Sequence, residues 1–214
     1  DGPAWDGEAL AGRRLLVYAE QGLGDTIQFA RYAPLLAARG AAVVLACDPK
    51  LIPLLEHAPG IAHAVSKADP LPPYDLWVDQ MSLPRLFETR IDSIPSPGPY
   101  LAADSKRAFA WASALPPGRK VGIVWAGNPA HSNDARRSMP VEALAPLLAA
   151  LPDATFVSLQ VGPKAHEAAR LGPRVLDPTA RLTDCAETAA LLANIDLVVT
   201  VDTAVAHLAA AMGE

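Results

Sequence analysis

Short runs of apolar residues alternate along this chain with stretches in which apolar positions recur every three or four residues. Residues 14–19 (RLLVYA) and 42–47 (AVVLAC) are rich in β-formers and predict buried strands. Between them, 25–39 places Ile27, Ala30, Leu35 and Ala38 at helical spacing and predicts one amphipathic helix. A second helix is expected at 49–58, opening on a proline, and short strands at 61–65 and 75–78. Such alternation predicts parallel strands joined by helical crossovers.

The stretch 95–99 reads PSPGP and interrupts this rhythm. A helix follows at 104–115, then Pro116-Pro117-Gly118, and the alternation restarts. Strands are expected at 121–125, 155–159, 174–176 and 196–201, and helices at 141–151, 164–171, 184–194 and 203–212. The fold class expected is therefore α/β: a Rossmann-like unit at 1–103, a linker helix and turn at 104–118, and a second Rossmann-like unit at 119–214. The run 197–201 is apolar at successive positions, as in a strand covered on both faces. A further strand is expected beside it, which makes the second unit incomplete at its C-terminus.

Composition narrows the class. Of 214 residues, 51% are apolar and 19% charged, enough for real cores and unlike a disordered chain. The formal net charge of −5 argues against a general grip on nucleic acid or an anionic membrane. Residues 1–103 carry 8 basic and 12 acidic side chains, residues 104–214 carry 10 and 11, so the second half is the less hostile place for an anion. Cys47 and Cys185 lie far apart in apolar segments, which points to a reducing, cytoplasmic setting without a disulfide framework. No apolar run is long enough to span a bilayer as a helix.

Three segments sit where a predicted strand passes into a helix, the place where ligands bind in open α/β sheets. The first is Glu20-Gln21-Gly22-Leu23-Gly24-Asp25-Thr26. Gly22 and Gly24 would let a ligand approach the backbone, and Asp25 carries a carboxylate at the helix start. The structural reading of Asp25 is a helix N-cap, with Gln28 completing a capping box. A dinucleotide fingerprint is disfavoured, because Ile27 stands where its third glycine belongs. The second segment is Asp202-Thr203-Ala204-Val205-Ala206-His207, after the most strongly β run of the chain. Here Asp202 is the expected N-cap, and Thr203 and His207, four apart, share a helix face suited to a pyrophosphate. A plain cap with a surface histidine is the structural alternative. The third is the polar loop 125–140, with Asn128, Arg136 and Arg137; arginine can hold phosphate bidentately, although a solvated loop capped by Ser138 would look the same. No Asp-x-Asp, His-x-x-x-His or Cys-x-x-Cys spacing indicates a metal site, and no Walker loop or nucleophile elbow occurs.

At these segments the chain resembles the ADP-heptose:lipopolysaccharide heptosyltransferase-like glycosyltransferases, particularly a branch fused behind tetratricopeptide repeats. The matching stretches are AEQGLGDTIQFARYAPLLAARGA (19–41), VGIVWAGNPAHSNDARRSMP (121–140) and ETAALLANIDLVVTVDTAVAHLAAAMG (187–213), with a weaker YDLWVDQMSLP (74–84). The resemblance implies the GT-B fold, two Rossmann-like domains facing across a cleft, with the acceptor on the first domain and the nucleotide sugar on the second. It implies an inverting, metal-independent enzyme with no cofactor, acting on a glycan or protein acceptor. In that frame Asp25 matches the catalytic base, and Gly22 and Gly24 lie in the acceptor-side loop. Asp202, Thr203, Ala204 and His207 match the motif that binds the donor diphosphate, Arg137 replaces a phosphate-binding lysine, and Asn128 lies in the neighbouring polar loop. The family usually has glycine where Ala204 stands. Two other readings use the same residues: a non-catalytic nucleotide-sugar or partner-binding module beside repeats, and a sugar-nucleotide epimerase of the same fold.

Overall fold

The computed structural model describes residues 2–96 and 98–214, and the chain divides into two compact units, 1–102 and 103–214. In the first, β1 (Arg14–Tyr18) leads to α1 (Leu23–Phe29) and α2 (Ala33–Ala38), joined by a 3₁₀ turn at Ala30–Tyr32. Strand β2 (Ala42–Cys47), helix α3 (Ile52–Leu55), β3 (His63–Ser66), β4 (Leu76–Asp79) and α4 (Leu83–Leu86) follow. The four strands form a parallel sheet in the order β3-β2-β1-β4. Leu15, Leu16, Val17 and residues 43–47 are buried in it.

The second unit opens with α5 (Ser105–Ala114) and continues through β5 (Lys120–Val124), α6 (Asp134–Arg137), α7 (Ala145–Ala150), β6 (Thr155–Ser158), β7 (Val175–Leu176), α8 (Cys185–Leu192), β8 (Leu197–Thr200) and α9 (Ala204–Met212). Its sheet is parallel in the order β7-β6-β5-β8, the same winding as the first. Val121, Ile123, Trp125 and Phe156 are fully buried in its core, against Leu144 and Leu148. Two Rossmann-like α/β units with parallel sheets are thus what the alternation predicts. In both, the winding reverses beside the first strand, between β1 and β4 and between β5 and β8. In open α/β sheets such a switch point leaves a crevice at the carboxyl ends of the strands.

Several elements differ from expectation, each for an identifiable reason. The single helix expected at 25–39 is broken, because Pro34 has no N–H to continue the ladder and sits instead in the first turn of α2. Pro53 and Pro146 do the same, so 49–58 and 141–151 each begin as a 3₁₀ turn and become α-helical only at the proline. Residues 165–171 stay 3₁₀ throughout, bracketed by Gly162 and Gly172 at φ +86° and +85°. The helix expected to link the units belongs to the second. Its Trp111 is 1% exposed and donates to Glu187 Oε2 on α8 (3.0 Å), while Arg107 donates to Glu187 Oε1 (3.0 Å). Strand β8 lies at the edge of its sheet, where the sequence leads one to expect a further strand to pair, and its Leu197 is 49% exposed. The opposite arrangement occurs at β4, where Trp5 N–H donates to Trp77 C=O (2.7 Å) and Trp77 N–H to Pro3 C=O (3.1 Å). This N-terminal segment covers that edge and buries the Trp5 ring. Among the described residues no helix is long and apolar enough to cross a membrane.

Candidate functional site

Both switch points are occupied by the segments singled out in the sequence. In the first unit the chain leaves β1 through Ala19 and Glu20 and enters α1. Gly22 is the residue before the helix, at φ −77° and ψ 178°, and Asp25 is the third helical residue. Asp25 is therefore not the N-cap. Its Oδ2 reaches back to accept the Gly22 N–H (3.2 Å), which satisfies one of the unpaired donors at the helix start. The backbone of Gly22 is open to any residue. A Cβ there would meet only Asp25 Oδ2 at 3.5 Å, an ordinary contact, so packing does not demand a glycine either. Ile27, at the position a dinucleotide fingerprint reserves for glycine, is fully buried.

Three side chains to which the sequence assigned no role, Glu20, Gln80 and Lys67, hold this turn in place. Glu20 accepts from the backbone N–H groups of Gln80 and Met81 (both 3.1 Å), which follow β4. Gln80, 3% exposed, donates from Nε2 to Thr26 C=O (3.1 Å). Lys67, after β3, donates to Ala19 C=O (2.8 Å). The signal for Glu20 and Gln80 was their place: a polar side chain directly after an apolar strand.

In the second unit the loop after β5 is closed at its base by Met139 N–H donating to Trp125 C=O (2.9 Å). Inside the loop, Gly127 N–H donates to Ser138 Oγ (2.9 Å), and Ser138 Oγ donates to Asp134 Oδ1 (2.7 Å). Asp134 Oδ1 lies 3.8 Å from Arg137 Nε. That Nε is buried and has no hydrogen-bond partner among the described residues. Arg137 Nη1 points across the switch point to Asp202 Oδ2 at 4.0 Å, and His207 Nε2 stands 3.8 Å from Asp202 Oδ1. The Asp202 side chain is 71% exposed, so one exposed carboxylate lies between the partly buried Arg137 guanidinium and the partly buried His207 imidazole. At 4.0 Å and this exposure it neutralises the guanidinium weakly.

The N-cap of α9 is Thr203, not Asp202, and no side chain caps the helix. The Thr203 hydroxyl lies 3.1 Å from Thr200 Oγ1 instead. Ala206 and His207 N–H donate to Thr203 C=O (3.0 and 3.3 Å), and Ala204, half-buried, is the first helical residue. A helix start of this kind, with a guanidinium and an imidazole beside it, suits an anion with several oxygens. Asn128 does not join the group: it is exposed, and its Oδ1 accepts Ala130 N–H (3.0 Å) in a local turn. Beside the loop lies a groove of about 830 Å³, bounded by His131, Met139 and Glu142 on one side and Lys164, Glu167 and Arg170 on the other. Arg137, Asp202 and His207 are not among its walls. Among the described residues no group of three or more His, Cys, Asp or Glu is arranged to hold a metal ion.

Likenesses to known proteins agree with this architecture. Protein FlbA of Caulobacter vibrioides is 32% identical over 240 residues, an alignment covering 99% of this chain and 40% of FlbA. The chain thus spans about 40% of the length of that relative. A glycosyltransferase family 9 structure from Veillonella parvula superposes with a TM-score of 0.74 at 13% identity, over 98% of this chain and 80% of that one. ADP-heptose lps heptosyltransferase II of E. coli superposes with a TM-score of 0.67, also at 13% identity, over 93% and 82%. At such identities these structures speak for the fold, the α/β architecture of GT-B-like heptosyltransferases. The segment that carries Arg137, Asp202 and His207 is more specific: residues 121–214 match the model of glycosyltransferase family 9 (heptosyltransferase).

Proposed function

We propose that the chain carries the core of a glycosyltransferase that moves a sugar from a nucleoside-diphosphate sugar to an acceptor hydroxyl of a glycan or protein, with inversion and without a metal. The observation that carries this reading is the meeting of Arg137, Asp202 and His207 at the switch point of the unit that matches the family 9 model. A departing diphosphate needs opposing charge that is in place before the bond breaks. Arg137, His207 and the first N–H groups of α9 supply it, with Thr203 and Ala204 forming the floor. The neighbour named for ADP-heptose supports the donor class.

The chemistry assigned to the chain is a single displacement. The acceptor oxygen attacks the sugar C1, the bond from C1 to the diphosphate oxygen breaks, and that oxygen leaves with the electron pair. Asp25 takes the acceptor hydroxyl proton, as a carboxylate with one oxygen in the Gly22 hydrogen bond and the other available for it. Gly22 and Gly24 leave room for the acceptor. A cytoplasmic setting and a place beside tetratricopeptide repeats in a longer protein complete the proposal.

The test combines binding and turnover. Calorimetry with ADP, UDP, GDP and CDP, followed by the matching nucleotide sugars and an acceptor library, should give a preferred nucleotide and product formation. Binding without transfer would assign a non-catalytic module. Conversion of the donor without acceptor would assign an epimerase.

A further inference from the structure

Strand β6 runs into Gln160, which is 3% exposed, and the main chain takes up the whole of its carboxamide. Oε1 accepts from Trp125 N–H (3.1 Å) and Ala126 N–H (2.9 Å), and Nε2 donates to Ala126 C=O (3.0 Å) and Val161 C=O (3.1 Å). Three of these four bonds reach the two residues by which the chain leaves β5. There the sheet no longer pairs them, since the last ladder contact from this side is Leu159 N–H to Ile123 C=O (3.0 Å). A buried amide using both lone pairs and both N–H groups fixes its partners, because a shift would strand polar groups out of water.

From that fixed point a connected path leads to Arg137. Ala126 is followed by Gly127, whose N–H is held by Ser138 Oγ; Ser138 in turn is held by Asp134, which faces Arg137 Nε. We propose that Gln160 is a positioning residue for the donor site: it orients the main chain at 125–127 so that Gly127, Ser138 and Asp134 seat Arg137 for an anionic ligand. The proposal rests on the donor-site reading above, and Gln160 itself touches no substrate. A residue needed only for folding would act differently, since its loss would lower the folded fraction and leave the affinity of the folded molecules unchanged.

The experiment is calorimetry on the chain with whichever of ADP, UDP, GDP and CDP the wild type binds most tightly, reading Kd and stoichiometry, with Tm measured alongside. Gln160→Met keeps length and removes all four bonds; Gln160→Glu keeps the acceptor for two N–H groups and loses the donors. Arg137→Ala is the reference for the site. Displacement of a binding group by even 1 Å is expected to weaken binding about tenfold or more at full stoichiometry in Gln160→Met. Gln160→Glu keeps the two accepted N–H bonds but turns an acceptor oxygen on the Ala126 and Val161 carbonyls, so it too should weaken binding, and the double variant Gln160→Met/Arg137→Ala should bind no more weakly than Arg137→Ala alone. If Gln160→Met does not fold, Gln160→Glu carries the same comparison. An unchanged Kd with lowered Tm or stoichiometry overturns the proposal and makes Gln160 a folding residue. If Arg137→Ala weakens binding and neither Gln160 variant does, the proposal alone falls. If Arg137→Ala leaves Kd unchanged, or the wild type binds none of the four, the donor-site reading falls and this proposal with it.

Discussion

Gly127 lies against the guanidinium of Arg137: a Cβ on it would come within 2.6 Å of Nε and 3.0 Å of Cζ, and within 2.8 Å of Asp134 Oδ1. No real Cβ tolerates such contacts, so Gly127→Ala must push aside the ends of two flexible side chains. The backbone need not move, and the cost should fall on the site rather than the fold. Gly127→Ala is expected to weaken nucleoside-diphosphate binding about tenfold, on the scale of a displaced binding group. Tm should change little. Calorimetry and a melting curve on the same sample check both halves.

Arg137→Ala and His207→Ala should each weaken nucleoside-diphosphate binding by about 1–3 kcal/mol, the range for charge-assisted hydrogen bonds. Titration at several salt concentrations should show the loss shrinking as salt screens the charge. Unaltered affinity in both variants would remove the diphosphate from this end of the sheet.

Asp25→Asn separates structure from chemistry. The amide oxygen of asparagine can still accept the Gly22 N–H that Asp25 now takes at 3.2 Å, so α1 keeps its start. It cannot take a proton. Turnover is expected to fall about 10²–10⁴-fold, with folding intact by circular dichroism. Near-normal turnover would leave Asp25 only its helix-start role.

Glu187 joins α5 to α8 by accepting from Trp111 Nε1 and Arg107 Nη1, both at 3.0 Å. Glu187→Ala strands the indole N–H of a ring that is 1% exposed and packed under Arg181, whose Cζ is 3.7 Å from its centroid. Leaving a buried donor unsatisfied should cost about 1–3 kcal/mol of unfolding free energy. Denaturant titration measures this, and Glu187→Gln, which keeps one acceptor, should recover part of it.

Burial pushes the Cys47 thiol up from 9.0 to about 12, with nearby Asp48 adding to the rise and Lys67 opposing it. The sign follows from which state loses its proton first. Between about pH 9 and about 12 the unfolded thiol ionises while the folded one stays protonated, so the unfolded state gains and stability falls as pH rises. Below that window the thiol contributes no pH dependence. Cys47→Ala should flatten the alkaline part of the stability profile relative to wild type, read by denaturant midpoints from pH 8 to the alkaline limit. Native Cys47 should also resist alkylation near neutral pH.

The sequence by itself determined the alternation of strands and helices, the parallel class and the two-unit plan. These depend on hydrophobic period and on turn residues, which act over a few neighbours. It also marked the strand-to-helix passages at Gly22–Asp25, 125–140 and Asp202–His207, because ligand sites in such sheets sit at strand ends. Only the tertiary structure decided the strand order, and with it that Arg137 and Asp202, far apart in the chain, face each other beside β5 and β8. It decided that Gly22 caps α1 and Thr203 caps α9, since a cap depends on backbone angles that residue type alone does not specify. It placed the Asn128 side chain in a local turn. It also brought Glu20 to Gln80 and Gln160 to Trp125. These polar side chains bond to backbone that other strands deliver, and no local pattern encodes such long-range pairing.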